Sequence, residues 1–266
     1  MKTRKKHSKL PFLAIPAILL LSGGIAYFYA QSSSSQNYLY EENAARLKAL
    51  ETTDLTQIQK QLKSMNQSSG LTASIDISSI TSNPDSLLDN IQLKQAFQGN
   101  VILGDSITES IVEYGFLDTD VVISQRGLSI SNADSHIQTA ISLHPANIFM
   151  AFGSNDLEIF VNDAASFIAA YQIQIDKLKS ALPEVPIYIN AILPLTPAAI
   201  SSTPSLGAYP QFNEALIQFC EDNGCTYLDT SFLVENNPQI YEPDGQHVVM
   251  SFYPMWLTFM AKSAGL

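Results

Sequence analysis

The sequence predicts an α/β fold: a doubly wound three-layer α/β/α sandwich on a five-stranded parallel sheet, preceded by an N-terminal transmembrane helix and a helical stalk. Three observations predict it. A basic cluster and a long uncharged apolar run open the chain. From about residue 97 onward, short β-rich runs alternate with helical stretches. The 266 residues, 46% of them hydrophobic, suffice to bury a sizeable core.

Residues 1–10, MKTRKKHSKL, carry Lys2, Arg4, Lys5, Lys6 and Lys9 without an acid, and no further charge appears until Glu41. Within that gap residues 11–30, PFLAIPAILLLSGGIAYFYA, can cross a ~30 Å hydrocarbon core as one helix. The basic flank predicts a single pass through the cell membrane, N-terminus in, with an extracytoplasmic catalytic domain. Secretion after signal cleavage is the rival reading, because residues 12–21 would serve as the apolar segment and Gly24, Ile25 and Ala26 offer a small-residue cut. Tyr27, Phe28 and Tyr29 favour the anchor, as aromatic belts sit at membrane interfaces.

Removing the tail's five basic residues from the 14 Lys and Arg leaves nine against 25 Asp and Glu, a formal −16 beyond the tail. Nucleic acid is therefore not an expected partner, since binding it requires cations that displace counterions. Solubility alone accounts for such acidity. Cys220 and Cys225 are too few for a disulfide framework and do not form C-x-x-C, which leaves a local bridge across Gly224 and two buried thiols as equal readings.

Residues 31–84 read as stalk and linker. A Gln/Ser-rich exit, residues 31–35, is followed over residues 39–66 by Leu47, Leu50, Leu55, Ile58, Leu62 and Met65 at helical spacings, with Asp54 and Gln57 as a capping box. Residues 67–84, rich in Ser, Thr and Asn and ending at Pro84, predict a linker. The enzyme domain is expected over residues 85–266. Its strand candidates are residues 101–103, 121–124, 147–152, 186–192 and 226–228; its helical stretches are 106–114, 131–143, 164–181, 210–222 and 251–262. Strict alternation at these lengths predicts parallel strands covered on both faces.

Ligands of such sheets bind beyond the C-terminal strand ends. GDSIT (104–108) follows the first strand, QRGLS (125–129) the second and GSND (153–156) the third, so all three are expected on one rim. A fourth stretch, DGQH (244–247), sets Asp244 three residues before His247 in a Pro/Gly-bearing loop ahead of the last helix. A carboxylate at that spacing can orient an imidazole and stabilise its protonated form. His136 and His144 read as structural, and Trp256 as an anchor of the last helix more readily than as a pocket wall. No H-E-x-x-H, P-loop or G-x-G-x-x-G run occurs, so no metal and no cofactor is expected.

In order and spacing these four blocks resemble those of the SGNH (GDSL-like) hydrolase superfamily, over about residues 97–266. The resemblance implies that family's flavodoxin-like doubly wound fold, with Ser106 as nucleophile, His247 as general base and Asp244 as its orienting acid. It implies an oxyanion hole of the Ser106 and Gly127 backbone N–H groups and the Asn155 side-chain amide. Gln125 and Ile130 depart from the family's commonest second block, where an Asn precedes Arg-Gly and a Gly follows the Ser; the acceptor pocket is the feature this concerns.

Export motivates the substrate class. The expectation is an extracytoplasmic serine esterase that removes small acyl groups, O-acetyl above all, from acylated cell-surface or extracellular carbohydrate or another small ester. An O-acyltransferase using the same acyl-Ser106, and a noncatalytic glycan-binding or scaffold domain, are the competing readings.

Overall fold

The computed structural model of the protein describes residues 77–235 and 237–266. The basic tail, the expected membrane segment and the expected helical part of the stalk lie outside the described residues. Among the described residues no helix is long and apolar enough to cross a membrane.

The first difference from the sequence reading is at the expected linker. A helix, α1 (Ile77–Ser82), forms there and buries Ile80. The folded unit thus extends N-terminally of residue 85, with α1 packed on the final helix. Two bonds fasten this segment: the Leu88 N–H donates to Thr258 Oγ1 at 3.0 Å, and Lys262 Nζ donates to the Ser86 carbonyl at 3.0 Å. Next, α2 (Asn90–Phe97) opens on a capping box between Asp89 and Gln92 and buries Leu93 and Phe97. Of the residues that suggested a linker, Thr81 and Ser82 donate to the Ser78 carbonyl within α1, and Asn83 caps the following 3₁₀ turn by accepting the Asp85 N–H.

Five parallel strands follow, β1 (Val101–Gly104), β2 (Val122–Ser124), β3 (Ile148–Ala151), β4 (Ile187–Asn190) and β5 (Thr226–Leu228), in the order β2-β1-β3-β4-β5. Each coincides with a sequence candidate to within two residues at either end. The helices between them are α3 (Ser106–Glu113), α4 (Asp134–Leu143), α5 (Asp156–Phe160), α6 (Ala164–Ala181), α7 (Pro197–Ser202) and α8 (Tyr209–Asn223), and α9 (Phe252–Ala264) closes the chain. The expected helix from residue 131 is instead a 3₁₀ turn, Ile130–Asn132, followed by α4.

Strand side chains alternate between the two faces, and each face receives its own helical layer. Val101, Leu103, Ile148, Met150 and Ile189 share one core with Ile137 of α4, Phe167 and Tyr171 of α6 and Phe212 of α8. On the other face Ile102 and Phe149 pack with Phe97 of α2, Ile111 of α3 and Phe252 and Leu257 of α9. Trp256 lies in this second core, where its indole N–H donates to Asn190 Oδ1 at 2.9 Å. Cys220 and Cys225 are both free thiols, Cys220 buried and Cys225 only partly so. Burial pushes the Cys220 thiol up to about 12, which keeps it protonated and unreactive.

From β1 the chain steps to β2 on one side and later returns to β3 on the other. The β1 and β3 ends therefore flank the point where winding reverses, and a crevice opens there.

Candidate active site

Ser106 is the first residue of α3, immediately after β1. Its predecessor Asp105 is the N-cap, with Oδ1 accepting the Ile107 N–H at 3.0 Å. The turn is thus an ordinary helix cap and also a presentation of Ser106 at a helix N-terminus, where first-turn N–H groups lack intrahelical acceptors. Gly104 permits the turn because β1, β3 and α3 meet there. A Cβ on it would lie 2.6 Å from the Ala151 carbonyl and 2.0 Å from Thr108 Oγ1.

His247 and Asp244 come from a loop pinned at several points. Tyr241 and Val248 form an antiparallel bridge, the Glu242 N–H donates to the His247 carbonyl at 2.9 Å, and the Thr196 N–H donates to the Gly245 carbonyl at 3.2 Å. The Tyr241 hydroxyl donates to the Pro194 carbonyl. Gly245 has φ +70°, and a Cβ there would strike Thr196 Oγ1 at 1.9 Å.

So held, His247 Nε2 lies 3.0 Å from Ser106 Oγ and its Nδ1 lies 2.6 Å from Asp244 Oδ2. The other Asp244 oxygen accepts the Gln246 and His247 N–H groups at 2.9 and 3.0 Å. Partial burial pushes the Asp244 carboxyl up, but those two bonds and the His247 ring outweigh it and hold the group below its ordinary range. An ionised carboxylate only accepts. It therefore keeps the proton on Nδ1 and leaves the Nε2 lone pair facing the Ser106 hydroxyl.

The remaining expected residues, Gly127 and Asn155, line the same groove of about 410 Å³ as Ser106 and His247. Gly127 has φ +72° with no protein atom within 4 Å of a hypothetical Cβ, so its backbone conformation calls for glycine and its face is open. Among the described residues neither the Ser106 nor the Gly127 N–H donates to another group. Asn155 is more engaged than the sequence suggested. Its Nδ2 donates to Asp105 Oδ2 at 3.0 Å and to the Leu128 carbonyl at 3.3 Å.

Several residues of the site escaped the sequence reading. Asp105 lies within the GDSIT block without an assigned role, yet it is 2% exposed and bonded to Asn155. Asp156, fully buried, accepts the Ser129 hydroxyl at 2.6 Å and the Ile130 N–H at 3.1 Å, tying the Gly127 loop to the turn after β3. Burial raises both carboxyls, Asp105 to about 7 and Asp156 to about 6. Glu113, Tyr114 and Glu242 line the groove, and the Arg126 guanidinium is clamped by Glu109 and Glu113 beside it. The signal available for the aspartates was their place: Asp105 directly follows the last residue of β1, and Asp156 lies five residues beyond the end of β3. His136 and His144 lie elsewhere, His144 as the left-handed cap of α4. A second cavity of about 30 Å³ lies under Asp105 and Gln246 against Ile192, Leu193, Thr230 and Trp256. Among the described residues no group of His, Cys, Asp and Glu side chains is arranged to hold a metal ion.

No curated protein matches this sequence. Among solved structures the chain is similar to a GDSL-like lipase from Bacteroides thetaiotaomicron, with 17% identity over 62% of this chain and 88% of that one and a TM-score of 0.50. It is also similar to a candidate acylhydrolase from Bacteroides fragilis, with 16% identity over 73% and 95% of the two chains and a TM-score of 0.51. A carbohydrate esterase family 3 protein from Talaromyces cellulolyticus aligns at 18% identity over 62% and 94%, with a TM-score of 0.48. The first two likenesses show the shared fold. The profile of the GDSL-like Lipase/Acylhydrolase family matches residues 102–249. Since that match covers more than half of the chain and runs from the second residue of β1 to just beyond His247, taking in every element that reaches the rim, this serine ester hydrolase belongs to the GDSL-like lipase/acylhydrolase family.

Proposed function

We propose that the protein hydrolyses small acyl esters, O-acetyl above all, on cell-surface or extracellular carbohydrate, through an acyl-Ser106 intermediate. The observation that carries the mechanism is the continuous hydrogen-bonded chain from Ser106 through His247 to Asp244. His247 Nε2 takes the hydroxyl proton as Oγ attacks the ester carbonyl, and Asp244 stabilises the imidazolium that forms. The carbonyl oxygen becomes an anion facing the Ser106 and Gly127 N–H groups, and Asn155 exchanges its longer bond, to Leu128, for a third one to that anion. Collapse of the tetrahedral intermediate expels the alcohol with the proton from His247. Water, deprotonated by the same imidazole, then releases the acid and restores Ser106.

Two features support the substrate class. The groove beside Ser106 presents Ser110, Glu113, Tyr114, Arg126 and Glu242, hydrogen-bonding groups that suit the hydroxyls of a sugar better than an alkyl chain. The basic tail and the apolar run of residues 11–30 support an anchored domain that meets its substrate outside the membrane. The test is acetate release from acetylated oligosaccharides by the full-length protein, with and without an unacetylated acceptor. Acetate released by the wild type and not by Ser106→Ala is the expected result. Acetyl groups appearing on the acceptor instead would assign transfer, and no turnover by folded protein would overturn the enzymatic reading.

A further inference from the structure

We infer that Asp105 is a positioning residue of the oxyanion hole, its buried carboxylate fixing the side-chain amide of Asn155 with the N–H bonds, not the carbonyl, turned to the reacting oxygen. The inference rests on the oxyanion reading of Asn155 given above. Helix capping leaves the charge of Asp105 unexplained. Capping uses one oxygen, toward the Ile107 N–H, and Ser, Thr or Asn would supply it equally well. Burying a carboxylate is unfavourable unless its charge is used, and here a second carboxylate, Asp156, lies near enough to raise it further.

The use is on the second oxygen. Asp105 Oδ2 lies 3.0 Å from Asn155 Nδ2. A primary amide presents nearly the same shape after a half-turn, so packing alone chooses poorly between its nitrogen and its oxygen. The flipped amide would set Oδ1 against Asp105 Oδ2 and against the Leu128 carbonyl, acceptor against acceptor. It would also turn a lone pair toward the developing anion. An ionised Asp105 excludes that orientation, whereas a neutral amide at 105 could donate to a flipped Asn155 and accept it.

The test is a double-mutant cycle at pH 8 with Asp105→Asn and Asn155→Ala, reading kcat, KM and thermal stability. Asp105→Asn should lower kcat about tenfold with KM within about threefold, less than the ~10²–10³ loss on removing an oxyanion donor outright, because Leu128 still favours the donor orientation. Introduced into Asn155→Ala it should change kcat by no more than about twofold, since no amide remains to orient. Asp105→Ser, which keeps a capping oxygen and removes the charge, should follow the same pattern. A loss that persists in the Asn155→Ala background would overturn the inference. A near-normal kcat for Asn155→Ala itself would instead remove the oxyanion reading on which it rests.

Discussion

Replacing Gly104 by alanine should impair folding and catalysis together, and the size of both effects follows from the crowding at the end of β1. Gly104 is the register partner of Ala151 on β3. The added Cβ would lie 2.6 Å from the Ala151 carbonyl, where ordinary contact begins at 3.4 Å, so the two strand ends must part by about 0.8 Å. On the helical side it would meet Thr108 Oγ1 at 2.0 Å and Thr108 Cβ at 2.8 Å, and Thr108 is fully buried. Overpacking of this kind costs about 1–3 kcal/mol. For a folded unit of this size that lowers the melting temperature by roughly 3–10 °C. Ser106 stands two residues on, so a shift of the β1 end also opens its 3.0 Å approach to His247. Misplacement by about 1 Å reduces turnover by on the order of 10²-fold. Differential scanning calorimetry and aryl-acetate kinetics on Gly104→Ala read the two effects. Gly207→Ala is the control, because its added Cβ would meet only the Ile200 methyl, at 3.3 Å. A Gly104→Ala protein with wild-type melting and kcat within twofold would refute the steric account of this glycine.

Ser106→Ala should melt as the wild type does yet show neither turnover nor labelling by an organophosphonate; labelling that survives would place the nucleophile elsewhere. Asp244→Asn keeps an oxygen for the Gln246 and His247 N–H groups, so the loop should hold its shape, while the amide facing Nδ1 imposes the wrong tautomer and lowers kcat by on the order of 10⁴. A near-normal rate would mean that another group orients the ring. The buried Asp156 carboxyl ionises near 6 when folded against 3.8 when exposed, so the unfolded chain loses its proton first. This residue's contribution to stability therefore falls as pH rises from about 4 to about 6. Asp156→Asn should gain on the wild type over that window by up to about 3 kcal/mol, read from urea melts at pH 4, 5, 6 and 7. A difference that does not change with pH would remove the buried charge from the stability of this turn.

The sheet was legible because parallel strands buried on both faces leave nearly continuous apolar runs, such as VIL at 101–103 and IFM at 148–150, bounded by Gly, Asn and Pro. What escaped were elements too short to show a period. The eight-residue α2 buries only Leu93 and Phe97, and α5 and α7 span five and six residues. Asp89 and Gln92 form the same capping box that marked the stalk at Asp54 and Gln57, so a start signal for α2 was present without a stripe to confirm it. The triad spacing was readable since Asp244 and His247 are near neighbours in sequence. The bond from Asp105 to Asn155 joins residues 50 apart and depends on β1 and β3 lying side by side, which no local pattern encodes.

The two buried aspartates carry one consequence further. Each ties a donor-bearing segment to its neighbour: Asp105 holds the Asn155 amide, and Asp156 holds Ser129 and Ile130 behind Gly127. Negative charge so close to a developing oxyanion would oppose catalysis if it faced the reacting oxygen. Donors hold both carboxylates instead, Asp105 through both its oxygens and Asp156 through one, so their fields act on the orientation of those donors. The arrangement still lowers stability, because both groups ionise less readily in the fold than in the open chain. These two residues therefore favour folding most below about pH 4 and lose that contribution as pH rises to about 6 for Asp156 and about 7 for Asp105, while fixed orientation of Asn155 requires Asp105 ionised, above about pH 7. Stability and turnover draw on opposite protonation states of the same buried groups, so a variant that neutralises Asp105 should gain stability in the pH range where it loses rate.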